Sequence, residues 1–380
     1  MADAVLESEI LYRRLQQHLD RMPVGFPASE SGVELEILRQ LFTPEEATVA
    51  LELSAFPEPA ATIQKRVKPR MPLAGLIGLL DQMAEKGLIL RLPAKEGYRY
   101  SKLIYAIGMY ERQVDRLSPK LERDSRQYME EAFRYAFHSK KTTQMRVAPV
   151  NKTIPAVRHV ATYEDIRAYV QASGGPFAKM TCICRHGKDL LGEKCKQTTL
   201  RENCLTMSYA ATWMVEYGVA RFISREEMLA LLEQADQEGL VLQPENTKQP
   251  LFLCCCCGCC CGVLTSAKRF PSPADYFSSN YCARVDPDAC ASCGTCEVRC
   301  QMDAIHTGPE GKSEVDRSRC IGCGLCVTTC PSDALHLEEK DAARVPPDDT
   351  RALYIRLLQE RYGPLGTALM VARNLLGRKI

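Results

Sequence analysis

Two cysteine runs constrain this chain more than any other feature. Cys290-x2-Cys293-x2-Cys296-x3-Cys300 recurs thirty residues later as Cys320-x2-Cys323-x2-Cys326-x3-Cys330-Pro331. Three thiolates within seven residues can wrap one loop around a metal centre. Eight thiols at this spacing are the ligand complement of two iron–sulfur cubanes. The competing reading, a pair of zinc ribbons, calls for separated C-x2-C pairs instead of triplets followed by a fourth thiol. Gly294, Gly322 and Gly324 supply turn conformations that such loops need.

The duplication extends beyond the thiols. Val285-Asp286 matches Val315-Asp316, and Asp303-Ala304-Ile305-His306 matches Asp333-Ala334-Leu335-His336. A repeat with this cysteine pattern resembles the bacterial two-cluster ferredoxins. The resemblance implies a [4Fe-4S] cluster held by Cys290, Cys293, Cys296 and Cys330, and a second held by Cys320, Cys323, Cys326 and Cys300. Each half then lends its fourth thiol to the other cluster. Gln301 stands where that family usually has Pro, whereas Pro331 keeps it; the expected consequence is a looser first loop.

Eleven more thiols lie between Cys182 and Cys261. They begin as Cys182-Ile-Cys184-Arg185-His186, continue with Cys195 and Cys204, and end in Cys254-Cys-Cys-Cys257-Gly258-Cys259-Cys-Cys261-Gly262. Adjacent residues of an extended segment point opposite ways, so alternate members of the run would face any one metal. Leu251-Phe252-Leu253 reads as a buried strand that delivers the run. The candidate ligands of a third centre are Cys182, Cys184, Cys195, Cys204, Cys256, Cys257, Cys259 and Cys260. Two arrangements stay open: the first four as a self-contained set, or the first pair joined to the later run. The cofactor expected there is a third iron–sulfur cluster, with zinc or a redox dithiol as alternatives. Arg185 and His186 either tune these thiolates or are ordinary surface charges. The CC-Gly triplets also resemble the CCG motif of heterodisulfide reductase-type subunits, but without that family's long repeats. The wider arrangement resembles ferredoxin-type iron–sulfur proteins of anaerobes.

Twenty cysteines with a net charge of +2 indicate metal binding in a reducing, anoxic cytoplasm, with no global pull toward nucleic acid or anionic membrane. The start of the chain lacks the basic and apolar regions of a signal peptide, and no apolar run reaches the length of a membrane span.

The expected fold is α+β and multi-domain. Residues 1–32 are a helical extension. Residues 33–105 hold helices opened by Thr43-Pro44-Glu45-Glu46, a helix with Leu73, Leu76, Ile77, Leu80, Met83 and Ala84 on its apolar face, and a hairpin around 93–97. That order resembles a winged helix. Residues 106–178 form a helical connector, 179–270 a Cys-rich α/β region, 281–340 the two-cluster module and 341–380 a helical tail broken at Gly363-Pro364. Trp213 reads as core. The tail, with Leu369, Leu375 and Leu376 beside Arg373, Arg378 and Lys379, reads as a packing helix, with peripheral membrane or partner contact as the alternative.

No dinucleotide fingerprint or P-loop is present. The expected function is therefore single-electron transfer with a redox partner protein, as a module or oxidoreductase subunit rather than a self-sufficient enzyme. A redox-responsive DNA-binding regulator is one alternative. Its third helix would present Gly75, Gly78, Asp81, Gln82 and Glu85, preceded by Lys65, Arg66, Lys68 and Arg70, a set poor in base readers. A reductase acting at the poly-Cys centre is the other.

Overall fold

The computed structural model describes residues 2–69, 71–150 and 164–379, and the chain divides into two compact units. The first unit gathers residues 1–137 and 354–380, and the second residues 138–353. The expected extension, the 33–105 segment, the front of the connector and most of the tail thus share one unit.

In the first unit α1 (Ala2–Leu19) packs on α2 (Val33–Leu41) and α3 (Pro44–Ala50). Thr43 caps α3 through a reciprocal capping box with Glu46, and Pro44 fills the first turn where no N–H is missed. β1 (Glu58–Pro59), α4 (Ala60–Gln64), α5 (Leu73–Glu85), β2 (Ile89–Pro93) and β3 (Tyr98–Lys102) follow, and the strands form an antiparallel sheet in the order β1-β3-β2. α5 buries Leu76, Leu80, Met83 and Ala84 but leaves Leu73 and Ile77 partly exposed, so its buried face is narrower than its periodicity implied. Asp81 accepts from Arg91 at 2.9 Å and from the Tyr100 hydroxyl at 2.8 Å. α6 (Pro119–Tyr128) and α7 (Arg134–Phe137) complete this part. Further on, α14 (Thr350–Leu375) breaks at Gly363 as expected. Its distal half leaves Leu365, Leu369 and Leu375 largely exposed, as is Leu376 just after it, contrary to the packed helix expected there.

The second unit is built on a five-stranded antiparallel sheet. After α8 (Ile166–Ala172), capped by Asp165, come β4 (Phe177–Met180), α9 (Ile183–Leu190), β5 (Cys204–Met207), α10 (Ser208–Glu216), β6 (Arg221–Ile223), α11 (Arg225–Gln237), β7 (Val241–Pro244) and β8 (Phe252–Cys256). Strand order is β6-β4-β5-β8-β7, so β8 lies inside the sheet between two partners. Leu253 is fully buried on it. Trp213 is only half-buried on α10, where it packs on Tyr209 with ring centroids 4.7 Å apart; it is not a core residue.

After α12 (Gly262–Ala267) the chain enters the duplicated region. β9 (Tyr281–Val285) pairs with β12 (Leu335–Glu339), and β10 (Ile305–Thr307) with β11 (Ser313–Val315), with α13 (Thr295–Arg299) between β9 and β10. One continuous core joins this region to the sheet: Leu205, Leu242 and Leu253 belong to the same buried cluster as Ile305, Ile321 and Leu335.

Glu245, just after β7, is 1 % exposed. Burial raises its carboxyl to about 7, opposed by hydrogen bonds from the Leu251 amide and the Thr350 hydroxyl. The folded pKa stands above the ordinary 4.5, so the folded unit holds a proton that the unfolded chain has released. That contribution is complete below the unfolded pKa and is lost as pH rises through 7. Glu245→Gln is expected to remove a stability loss of up to about 3 kcal/mol across that window. Denaturant titrations at pH 5 and pH 8 check this, and equal pH slopes for the two proteins would contradict it.

Candidate metal centres

The two halves of the duplicated region are not equivalent. In the first, Cys293 is exposed and Cys290 half-buried. Backbone amides of Ser313 and Ser292 hold the Cys290 thiol below its ordinary pKa, and the Thr295 hydroxyl and amide do the same for Cys293. In the second, Cys320 and Cys326 are buried, and burial pushes the Cys323 thiol up to about 12. A cavity there is lined by Cys320, Cys323 and Cys326 together with Cys300, with Met302, Ile305, Ile321 and Leu325 around it. The Ala283 amide donates to Cys320 Sγ at 3.3 Å and the Ala304 amide to Cys300 Sγ at 3.2 Å. Four thiols converging on an apolar cradle with N–H groups aimed at sulfur are a donor set that suits an anionic iron–sulfur cluster.

Backbone conformation restricts which residues can occupy these loops. Gly322 adopts φ +67°, and a Cβ there would run into the Tyr281 carbonyl, 2.6 Å from its carbon. Gly294 also has positive φ, at +70°, but faces open space. Sequence reasoning passed over Cys282, which lies outside both runs. It is buried on β9 with its thiol hydrogen-bonded to Cys320, which brings its pKa down to about 7, Arg317 and Lys340 contributing. Its place one residue before Ala283, whose amide donates to Cys320, was a signal only once the register was known.

In the Cys-rich region β8 carries the run into the unit and the chain then turns sharply at Gly258–Cys260 into α12. Cys195, Cys257, Cys259 and Cys260 come together, with all four Sγ atoms within 4.8 Å of one another. Cys195 lies 3.7 Å from both Cys257 and Cys259, and Cys259 lies 3.6 Å from Cys260. The Cys257 thiol is held down to about 4, chiefly by the hydrogen bond from Cys260, with the Arg185 charge adding to it. Cys182, Cys184 and Cys204 do not join this group. The self-contained set Cys182, Cys184, Cys195 and Cys204 is therefore not assembled. Cys256 stands apart from it as well: it is hydrogen-bonded to Cys254 and Cys261, while Cys204 and Cys254 are register partners on β5 and β8. Arg185 is no surface charge; it is 1 % exposed.

Gln301 ties the two regions together. Its Oε1 accepts from the Gly258 amide at 2.7 Å, and its Nε2 donates to Gln197 Oε1 at 3.1 Å. The main chains also approach closely, since a Cβ at Gly258 would collide with the Gln301 carbonyl. The residue expected to loosen a loop is instead a buried link from the Cys300 loop to the poly-Cys turn. Arg299 adds an ion pair to Asp236, at 3.7 Å, from the neighbouring turn of the module.

Among the described residues, no helix is long and apolar enough to cross a membrane. No curated protein and no solved structure matches the chain. Residues 283–337 match the family model described as a 4Fe-4S dicluster domain, and this segment of the chain is thereby an iron–sulfur domain.

Proposed function

We propose that the protein is an electron carrier, or an electron-carrying subunit of an oxidoreductase, built around two [4Fe-4S] clusters. Their ligands in this reading are Cys290, Cys293, Cys296 and Cys330 for one and Cys320, Cys323, Cys326 and Cys300 for the other. The observation that carries it is the cavity in which Cys300, from the first run, meets three thiols of the second. When bound, each cluster supplies one reversible single-electron change. The residues around it keep the thiolates fixed, exclude water and present N–H donors to sulfur, which favours the reduced form.

The asymmetry of the module supports a direction of approach. The 290–293 loop is open to solvent, so a redox partner protein would dock there, whereas the Cys320 half faces the core and the poly-Cys turn. Cys195, Cys257, Cys259 and Cys260 are in this reading the third centre. Thiolates about 2.3 Å from a single tetrahedral ion stand about 3.8 Å apart, which matches the separations of 3.6 and 3.7 Å. A cubane, with an iron at each of four corners, spreads its thiolates farther. A single iron or zinc ion thus fits this set more closely than a third cubane. The hydrogen bond from the Gly258 amide to Gln301 supports a position beside the Cys300 loop.

The regulator reading is less well supported. Arg66 is engaged by Glu58 at 2.5 Å and by the carbonyl of Glu52 at 2.7 Å, and Arg70 lies outside the described residues. Asp81 of α5 is occupied by Arg91. The winged-helix-like segment, with Leu73 and Ile77 partly exposed, serves here as a protein-docking module. Anaerobic reductive titration of the purified protein tests the proposal: two reversible single-electron uptakes per chain are expected from the cubanes, and a third where the Cys195 set holds iron instead of redox-inert zinc. A chain that takes up no electrons while binding DNA at low salt would replace this reading with the regulator.

A further inference from the structure

The distal half of α14 is amphipathic in the reverse sense. Thr367 is buried, and Asn374, seven residues on, has its side-chain amide nitrogen buried without a hydrogen-bond partner. Positions i and i+7 share a helix face, so the face turned toward the unit is polar. The opposite face carries Leu365, Leu369, Ala372 and Leu376, at i, i+4, i+7 and i+11. Leu376, just past the end of α14, keeps the helical bond to the Ala372 carbonyl at 3.1 Å. The three leucines are 82 %, 65 % and 74 % exposed. A helix packed on its own domain normally buries its apolar stripe and turns the polar one to water.

This orientation is fixed at both ends. At the start of the segment Arg361 donates to the Met22 carbonyl at 2.9 Å, and the Tyr362 hydroxyl to the Arg21 carbonyl at 3.2 Å. At its end the Gly377 carbonyl accepts from Arg66 at 2.8 Å, and Lys379 donates to the Leu51 carbonyl at 3.1 Å. The bond from Arg66 brings the basic run around it next to the end of the leucine stripe.

Charge indicates what covers the stripe. Residues 361–380 contain four cations and no Asp or Glu. Arg361 pairs with Asp20 and Lys379 with Glu52. Arg373, Arg378, Lys65 and Lys68 are exposed, and among the described residues no carboxylate pairs with any of them. A second copy of this chain, seated by two-fold symmetry, would set these cations against themselves. An anionic surface matches them. The stretch from Leu365 to Leu376 is about 18 Å long, against about 30 Å for a bilayer core, so it fits along a membrane and not across one.

We propose that this face is a membrane-surface site that takes anionic phospholipid. Leu365, Leu369 and Leu376 enter the acyl boundary, and Arg373 and Arg378 meet headgroup phosphates, with Lys65 and Lys68 adding to the attraction. The site uses neither cluster and stands apart from the electron-transfer reading.

Flotation of the full-length, anaerobically purified protein with lipid vesicles tests it. Vesicles of phosphatidylcholine alone are compared with vesicles that also contain phosphatidylglycerol. The protein is expected to float with the anionic vesicles at low salt, bound roughly tenfold more tightly than to the neutral ones. Salt at about 1 M, which confines electrostatic attraction to about 3 Å, should remove that difference. Leu369→Glu is expected to weaken binding roughly tenfold or more. Arg373→Gln/Arg378→Gln should lose most of the preference for anionic lipid. Phe222→Gln, at an exposed aromatic on β6 of the other unit, is the control and should bind as the wild type does. Wild-type protein that stays off anionic vesicles at low salt would overturn the proposal, as would equal binding to both kinds of vesicle. Unchanged binding by Leu369→Glu, or an equal loss on Phe222→Gln, would overturn it too. Dimers abolished by Leu369→Glu, without flotation, would give the stripe to a second copy instead. Should the variants fail to fold, as read by far-UV circular dichroism, the lipid and salt comparison on the wild type decides alone.

Discussion

Replacing Cys300 and Cys323 with alanine, singly or together, is expected to remove the same cluster, about half of the ferredoxin iron. Cys300 belongs by sequence to the first run, yet it lines the cavity with Cys320, Cys323 and Cys326. Two substitutions at one cluster share one loss, whereas substitutions at different clusters add. The Cys300→Ala/Cys293→Ala pair is therefore expected to strip nearly all of that iron. Iron analysis of the two single and two double variants after anaerobic purification reads this directly. A Cys300→Ala/Cys293→Ala protein that keeps half its iron would show that each run serves its own cluster. Far-UV circular dichroism separates loss of a cluster from loss of the fold, because the sheet core from Leu205 to Leu253 does not depend on Cys293.

Gly322→Ala is expected to be the most damaging single change that touches no ligand. Two effects combine: a positive φ of +67° that a side chain resists, and a Cβ driven into the Tyr281 carbonyl on β9. Left-handed strain and overpacking together amount to about 3 kcal/mol or more. The loop carrying Cys320 and Cys323 must shift to relieve them. Gly294→Ala is the control, since its φ is as unfavourable but nothing lies in the way; its cost should be about 1 kcal/mol. Denaturant midpoints for the two variants, with iron retention measured alongside, check the difference. Equal destabilisation would mean that the contact with Tyr281 has no part in holding the loop.

What the sequence made legible is what depends on short spacing. The ferredoxin runs, the capping box at Thr43, the break at Gly363 and the strand before the poly-Cys run are local patterns, and each has its counterpart in the structure. The grouping of the eleven remaining thiols is not local. Cys195 reaches Cys257 across 62 residues because α9 and β5 fold back onto β8, and no spacing rule encodes that register. The sequence leaves Arg185 open between a surface charge and a partner of the thiolates, because its burial is created by elements on either side of it. Gln301 looked like a loss of rigidity because its partner, Gly258, lies 43 residues earlier. Leu73, Ile77 and Trp213 show the opposite failure, where apolar character was taken for core although the helices carrying them turn those residues partly outward. The exposed leucines of the tail are of the same kind.

The central claim is that residues 283–337 hold two cubanes rather than simple metal ions, and acid-labile sulfide decides it most directly. Zinc or a lone iron brings no inorganic sulfide, whereas two [4Fe-4S] clusters bring about eight sulfides and about eight irons per chain. Anaerobically purified protein is predicted to yield that sulfide. Zinc in its place, with labile sulfide near zero, would contradict the account.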